Sequence, residues 1–433
     1  MPSDGSETCL PVPPPRLAGA LSVVRTDNDD GERATSETPV EGREFSFLWQ
    51  TQAPSPSPID AGPPPAMNSG SISPSVLEKA GLARSLVFLG QKRSPSYVTE
   101  TTKLPSDLAD GEVLVRVELA TICGSDLHTL KGLRKPPYPC VLGHEGCGEV
   151  VASQRAEAKV GERVTWGVCA SCNSCFLCSL GLQNKCVSLL KCGQTLISSA
   201  TLFGTYTTHV LCRPGTPIVP LPPVLTPKLA APINCALATM VHALSKVPPT
   251  PKAGQLGAQV AMIQGAGMLG MYGAALLKEA GYTKVFCVDI NRSRLSRVVE
   301  FGGIPVHPEH EEELVESDSV DVVFEVCGHK NVIPQGIRAL RTGGTYVLVG
   351  LVHPDSNMDV TAYSIIQKCL TIVGVHNYTG HHLKDAVAFL TRNHDRYPFS
   401  ALIGPTYPLS EFRSAVDVAN SGQFFRVAIN PHQ

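Results

Sequence analysis

A glycine-rich turn joins an apolar run to a stretch of helical period at Val260-Ala-Met-Ile-Gln-Gly265-Ala-Gly267-Met-Leu-Gly270. Its three glycines would permit a tight turn, close approach of backbone amides to a pyrophosphate, and close packing of a helix on a strand. A lone G-x-G-x-x-G carries little weight, but strand and helix are both present here, and the next apolar run ends in Asp289. An acid about 20 residues after the glycines binds the ribose hydroxyls of a dinucleotide. The sequence therefore predicts a dinucleotide site at Gly265, Gly267, Gly270 and Asp289.

The charges near Asp289 bear on which dinucleotide binds. The Asp289 carboxylate would repel a 2'-phosphate, which favours NAD over NADP. Arg292 and Arg294 lie close by in the sequence and weaken that preference. NAD is the predicted cofactor, and NADP stays open.

Apolar runs and helical stretches alternate beyond this turn. Runs at 285–288, 320–326 and 346–351 are separated by stretches of helical period such as 332–340. This alternation is typical of a doubly wound parallel sheet with helices on both faces. After residue 374, the chain has two amphipathic helical stretches and a closing apolar run, at 382–390, 409–419 and 424–429.

The chain before the glycine-rich turn has a different pattern of apolar residues. From Ser85, short β-type runs are punctuated by Gly and Pro, at 86–89, 112–119, 148–152 and 162–166. Short, irregular strands of this kind predict an all-β module. The predicted fold class is therefore α/β, with a β-rich domain and a Rossmann domain.

Residues 1–84 are rich in Pro, Ser, Gly and acidic side chains. Such a segment cannot bury enough apolar surface to offset its ordering entropy, so we expect a disordered N-terminal extension. A mitochondrial transit peptide is disfavoured because these peptides avoid acids. A start at Met67 would give a less acidic leader, which leaves organelle import open beside the expected cytoplasmic location.

Composition excludes several classes of protein. The 433 residues include 36 basic and 38 acidic side chains, so the charge footprint of a nucleic-acid-binding protein is missing. No apolar run reaches the roughly 20 residues needed to span a bilayer. We expect a soluble enzyme with no membrane partner, and the 15 cysteines indicate metal sites and buried thiols rather than disulfides.

Four cysteines form a compact C-x2-C-x2-C-x7-C array at Cys172, Cys175, Cys178 and Cys186. Four thiolates closing on one ion leave no open coordination position, so the array predicts a structural zinc site. A group of reduced surface thiols is the weaker alternative. Cys169, three residues earlier, is interpreted as a bystander.

Three separate segments carry a second set of metal-binding residue types: Cys123-Gly-Ser125-Asp126-Leu-His128, Gly143-His144-Glu145, and Asn234-Cys235. A thiolate, an imidazole and a second thiolate from these segments would form a three-ligand site with a fourth position open to water or substrate. Each residue alone is more often a packed core side chain. Their joint occurrence favours a catalytic metal.

In order along the chain, these motifs resemble those of the zinc-containing medium-chain alcohol and polyol dehydrogenases. The likeness runs from about Ser85 to the C-terminus. It implies a GroES-like catalytic domain over 85–235 that holds both zinc sites, a Rossmann NAD-binding domain over 236–374, and a return to the catalytic domain over 375–433. It also implies a homodimer or homotetramer.

The resemblance implies a role for each matching residue. Cys123, His144 and Cys235 are the implied catalytic zinc ligands, and Asp126 is the acid that orients the histidine. Glu145 is the adjacent carboxylate that can approach the metal or replace a ligand during exchange. Ser125 and His128 are similar to a relay for the alcohol proton. Arg294 matches a basic residue near the adenosine ribose, and Arg426 matches one that reaches the pyrophosphate.

The implied reaction is hydride transfer between NAD and a secondary, primary or polyol-like alcohol, with zinc polarising the substrate oxygen. Two alternatives remain. A zinc-independent NADPH reductase of quinones or enones would lack the metal ligands. A catalytically silent binding or regulatory protein would retain the fold without turnover, and the Pro-rich stretch 11–15 could serve such a role.

Overall fold

The computed structural model describes residues 78–248, 259–352 and 356–433. The chain divides after Met67 into two units, and the second unit, Asn68–Gln433, contains every described residue. Most of the predicted N-terminal extension, including Met67 and the Pro-rich stretch 11–15, therefore lies outside the described residues. The first strand begins at Leu82, so regular structure starts before the limit predicted at residue 84.

The first half of the described chain is β-rich. Its strands are β1 Leu82–Phe88, β2 Tyr97–Lys103, β3 Val113–Thr121, β4 Cys140–Val141, β5 Glu145–Ser153, β6 Arg163–Trp166, β7 Cys169–Ala170, β8 Leu190–Lys191, β9 His209–Cys212 and β10 Ile218–Pro220. Its helices are short: Gly124–Leu130, Phe176–Ser179, Gln183–Lys185, Pro227–Ala230, Ile233–Leu237 and Ala238–Leu244.

The second half contains a six-stranded parallel sheet. Its strands are β11 Val260–Gln264, β12 Lys284–Val288, β13 Ile304–Val306, β14 Val320–Glu325, β15 Leu340–Leu348 and β16 Thr371–Gly374. They are arranged in the order β13-β12-β11-β14-β15-β16, the order of a Rossmann sheet. The helices between them are Met268–Glu279, Arg292–Val298, Val299–Phe301, Pro308–His310, Glu311–Leu314, Lys330–Val332, Ile333–Ala339 and Ala362–Gln367.

The C-terminal segment returns to the β-rich part. The helix Gly380–Asn393 and the short helix Phe399–Leu402 lead to β17 Ile403–Pro408, and Leu409–Glu411 and Phe412–Asn420 precede β18 Arg426–Asn430. β18 pairs antiparallel with β3, so that Ala428 lies opposite Thr121. This pairing completes a seven-stranded sheet, β10-β6-β5-β3-β18-β17, with β9 also on β3.

One apolar core joins the two sheets. It includes Leu119 and Cys147 from the β-rich part and Ala261 and Phe324 from the parallel sheet, all buried. The predicted α/β class, with a β-rich part and a doubly wound sheet, is confirmed. No helix among the described residues is long and apolar enough to cross a membrane.

Candidate active site

The structure brings the predicted ligands of the second constellation together. The ligand atoms of Cys123, His144, Glu145 and Cys235 all lie within 4.8 Å of one another, and Cys235 Sγ is 3.5 Å from His144 Nε2. Cys123 caps the helix Gly124–Leu130, and His144 immediately precedes β5. The predicted convergence of these segments is what the structure shows.

Cys235 lies within a π-helical turn, Ile233–Leu237. Single π turns in helical segments are frequent at functional sites. The neighbouring Asn234 fixes this turn, because its Nδ2 donates to the carbonyls of His144 and Trp166 at 3.1 and 2.8 Å and its Oδ1 accepts from Gly146 N at 3.3 Å. Asn234 thus connects the turn that carries Cys235 to β5, the strand that follows His144.

Asp126 orients the histidine. Its Oδ1 accepts from His144 Nδ1 at 3.1 Å, and its Oδ2 accepts from the Tyr206 hydroxyl at 2.8 Å and from Cys123 N at 3.0 Å. Because Nδ1 donates to Asp126, Nε2 is the ring nitrogen of His144 that faces the sulfur ligands. This is the arrangement in which a carboxylate fixes the tautomer of a metal-binding histidine.

The carboxylate of Glu145 lies in the same group of ligand atoms but is engaged by other side chains. Its carboxylate forms a two-point ion pair with Arg426, at 2.8 Å for each contact, and accepts from the Thr121 hydroxyl at 2.6 Å. The side chain is completely buried. With Glu145 engaged in this way, two sulfurs and one imidazole nitrogen remain to bind a metal, which leaves one position open.

The site is electrostatically prepared for a cation. A hydrogen bond from Cys235 lowers the pKa of Cys123 well below that of an ordinary thiol, against the effect of burial, and Arg426 adds to the lowering. Burial alone would lower the pKa of His144, but Asp126 and Cys123 raise it to about 10. The group of ligand atoms thus holds protons where a metal ion would bind, and metal binding would release them. The donor set fits zinc.

The four-cysteine array also closes on itself. Its Sγ atoms are 3.4 Å apart for Cys172 and Cys186, 3.5 Å for Cys175 and Cys178, and 3.9 Å for Cys175 and Cys186. Four sulfurs bound at about 2.3 Å around one tetrahedral ion would lie about 3.8 Å apart, so the cluster fits zinc. The buried Cys169 is not part of the cluster.

The glycine turn has the three properties predicted for it. Gly265 has a φ of +119°, and a Cβ on Gly270 would lie 2.1 Å from the Gly265 carbonyl oxygen. A Cβ on Gly267 would meet no atom within 4 Å. The space beside Gly267 belongs to a cavity of about 180 Å³ that is also lined by Gly124, Arg294 and Arg426. A pyrophosphate could approach the backbone there.

The ribose end of the predicted cofactor site is only partly assembled. Asp289 accepts hydrogen bonds from Ala266 N at 2.7 Å and from Asn291 N at 2.8 Å, so it also fixes the turn. Arg292 pairs with Glu309 at the surface. Arg294 is half-buried, and within the described part of the chain its Nε has no hydrogen-bond partner. Arg426 borders the cavity while its guanidinium is bound by Glu145, so its contact with a pyrophosphate stays a prediction.

The proton relay predicted at Ser125 and His128 stays a prediction. Ser125 Oγ lies 3.4 Å from His144 Nε2, and His128 is exposed three residues further along the same helix.

Of the residues that sequence reasoning missed, Tyr206 binds the carboxylate of Asp126 and Thr121 binds that of Glu145. No local motif marks either of them.

Two family models match the chain. Residues 109–223 match the alcohol dehydrogenase GroES-like domain, and residues 238–427 match the glucose dehydrogenase C-terminus. Together they cover both halves of the described fold, including the predicted GroES-like part.

The chain covers nearly the whole length of the similar proteins. The 5-exo-hydroxycamphor dehydrogenase of Pseudomonas putida is 25% identical, with 80% of this chain and 98% of that protein covered. The sorbitol dehydrogenase of Bombyx mori is 28% identical, with coverages of 76% and 94%. A crystal structure of an alcohol dehydrogenase from Thermotoga maritima has the same fold, with a TM-score of 0.71, 24% identity, and 81% of this chain and 99% of that one covered.

Proposed function

Because the chain belongs to the zinc-type medium-chain alcohol and polyol dehydrogenase family, we propose that it transfers a hydride between an alcohol and NAD at a zinc site formed by Cys123, His144 and Cys235. One observation carries this proposal. The three ligand atoms converge while Arg426 holds the carboxylate of Glu145, so that a coordination position stays open.

The residues around the metal site have distinct tasks. Zinc bound there would polarise the substrate oxygen and make the loss of the hydroxyl proton easier near neutral pH. Ser125, whose hydroxyl is 3.4 Å from His144 Nε2, is placed to receive that proton, and the exposed His128 passes it to solvent. Asp126 keeps the imidazole in the tautomer that binds metal.

NAD is the proposed hydride acceptor. Backbone amides at Gly267 and the N-terminus of the helix Met268–Glu279 would bind its pyrophosphate. Asp289 disfavours a 2'-phosphate, whereas Arg294, which lines the cavity beside Gly267, would favour one. A comparison of NAD and NADP as acceptors decides between them.

The remaining features follow from the same proposal. A second zinc ion in the four-cysteine array would stiffen the segment 172–186 and take no part in chemistry. The proposed location is the cytoplasm, and the proposed assembly is a dimer or tetramer. A zinc-independent NADPH reductase is disfavoured by the complete set of ligands, and a silent binding protein by the open metal position.

The test combines metal analysis with a substrate screen on the full chain. We expect about two zinc ions per chain and NADH formation with some members of a panel of secondary, primary and polyol alcohols. Cys123→Ala and His144→Ala should abolish turnover and leave NAD binding largely intact, whereas Cys169→Ala, which removes a buried thiol outside both clusters, should retain activity. Full activity in either ligand variant would reject the catalytic metal, and inactivity of the wild type across the panel would favour a binding protein.

A further inference from the structure

Four basic residues from separate segments gather next to the metal site. Arg134 follows the helix that carries Ser125, and its backbone N donates to His128 O at 3.2 Å. Lys185 ends a short helical turn, Lys191 ends β8, and His376 follows β16 by two residues. The carboxyl ends of the strands in such a sheet are where ligands bind.

Direct contacts and electrostatics connect the four side chains. Lys185 Nζ donates to His376 Nδ1 at 2.6 Å, and Asn184 Nδ2 donates to the His376 carbonyl at 2.6 Å. Lys191 interacts electrostatically with Arg134, with Lys185 and with the proposed zinc ligand Cys235. His376 interacts with Lys191, Lys185 and Arg134. We name these four residues the basic cluster.

The basic cluster has no acidic side chain as a partner among the described residues. Within the described residues, no carboxylate pairs with Arg134, Lys185 or Lys191, whereas Arg163, Arg341 and Lys368 each have an acidic partner. Lys191 is half-buried. A partly buried, unpaired cation is costly to keep, and a ligand that supplies negative charge offsets that cost.

Protonation is consistent with a site that awaits an anion. Burial lowers the pKa of Lys191, and Arg134 and Lys185 lower it further. Burial, with Lys191, Lys185 and Arg134, lowers the pKa of His376 to about 4, so the ring is neutral near pH 7. Because Lys185 donates to Nδ1, the Nε2–H of His376 remains a donor.

The position of the basic cluster connects it with the substrate. Cys192, next to Lys191, contacts the Gly143 carbonyl through its sulfur at 3.8 Å, and Gly143 precedes the proposed ligand His144. Arg134 belongs to the segment after the proposed relay residue His128. Lys191 also interacts electrostatically with the proposed zinc ligand Cys235, so a molecule that places its hydroxyl at the metal lies near the basic cluster.

We propose that Arg134, Lys185, Lys191 and His376 bind an anionic group of the substrate, either a carboxylate or a phosphoryl group, at the end opposite its reacting hydroxyl. This inference rests on the proposed function and narrows its substrate class. Oxidation at one end leaves the anionic group unchanged, so the same contacts hold the alcohol and its carbonyl product.

Matched pairs of substrates test the proposal. We expect kcat/KM for 3-hydroxybutyrate over that for 3-hydroxybutyramide, or for 1,2-propanediol 1-phosphate over that for 1,2-propanediol, to be at least about tenfold, because one charge-assisted hydrogen bond contributes that much. The pair with the larger ratio identifies the group.

Lys191→Met and Arg134→Met should reduce this ratio about tenfold or more, mainly through KM, whereas Lys159→Met, which removes an exposed charge, should not. Ratios near one, or an equal fall for both members of a pair, would overturn the proposal.

A binding measurement separates failure of this inference from failure of the proposed function. Calorimetry with inorganic phosphate and with butyrate on the zinc-loaded full chain should show binding of at least one anion, weakened about tenfold by Lys191→Met but not by Lys159→Met. If no alcohol is oxidised, the proposed function fails and the calorimetry alone decides whether the anion site exists. If neutral alcohols are oxidised but neither anion binds, the anion site is wrong and the dehydrogenase stands.

Discussion

At the scale of single residues, the carboxylate of Asp126 accepts three hydrogen bonds, from His144 Nδ1, the Tyr206 hydroxyl and the Cys123 amide. Two of these donors belong to proposed zinc ligands, and the third lies 80 residues further along the chain. Asp126 is 4% exposed, so little solvent competes for these bonds. One buried carboxylate thus controls both the tautomer of His144 and the backbone position of Cys123.

We expect Asp126→Asn to weaken zinc binding by about 10- to 100-fold, because an amide lowers the basicity of the histidine ligand and can present its NH2 to it. Competition with a chromogenic chelator measures the affinity. Tyr206→Phe is the matched control: it removes one donor to the same carboxylate without touching the histidine, and we expect a smaller loss. Unchanged zinc affinity in Asp126→Asn would contradict the assigned role.

Local motifs predicted the proposed metal ligands but not the residues that support them. Cys123, His144 and Cys235 could be named because they stand in recognisable sequence contexts. Tyr206 and Thr121 look like any other buried side chains in the sequence, and their importance comes only from which carboxylate they reach. The basic cluster has no local motif for the same reason, since its members lie in four segments between residues 134 and 376.

At the scale of elements, the turn between β11 and the helix Met268–Glu279 gives a matched pair of variants. Gly267→Ala places a methyl group in open space at an ordinary φ of -80°, so we expect stability to be nearly unchanged while the methyl group obstructs the pyrophosphate and lowers NAD affinity about tenfold or more. Calorimetric titration with NAD measures the affinity, and urea unfolding measures the stability.

Gly270→Ala is the contrasting member of the pair. Its Cβ would lie 2.1 Å from the Gly265 carbonyl oxygen, so the helix must shift, and we expect a loss of about 1 to 3 kcal/mol in the free energy of unfolding. The two variants thus separate a glycine required by the ligand from one required by packing. Wild-type NAD affinity in Gly267→Ala would show that the cofactor does not approach this turn.

The periodicity of the sequence predicted whether a segment is a helix or a strand better than it predicted where that segment begins and ends. The apolar run that begins at Val260 is β11, and the helical stretch predicted at 332–340 is largely the helix Ile333–Ala339. The strand predicted at 346–351 is β15, which instead spans Leu340–Leu348. Arg341, Thr342 and Gly343 hid its first half because exposed residues at the end of a strand carry no apolar signal. The π turn around Cys235 has no signature in the sequence.

At the scale of the whole molecule, the proposed open metal position depends on a contact between residues 281 positions apart. Glu145 begins β5 and Arg426 begins β18, and β3 lies between these strands, so the register of both strands on β3 sets the ion pair. The resemblance predicted a C-terminal return to the first domain. It did not predict that Arg426 would bind Glu145, because that depends on the registers of three strands, which no motif encodes.

The stability of the whole protein should depend on pH through His209. This side chain is 2% exposed in the seven-stranded sheet, and burial, opposed by Glu78, lowers its pKa to about 4. An unfolded histidine has a pKa of about 6.5, so between pH 6.5 and 4 the unfolded chain binds the extra proton and stability falls as the pH falls. We expect His209 to account for about 2 kcal/mol of the loss between pH 7 and 5, measured by urea unfolding with excess zinc. His209→Gln should flatten this part of the pH dependence, whereas His310→Gln, which removes an exposed histidine, should preserve it. An identical pH dependence in His209→Gln and the wild type would mean that His209 does not stay neutral in the folded protein.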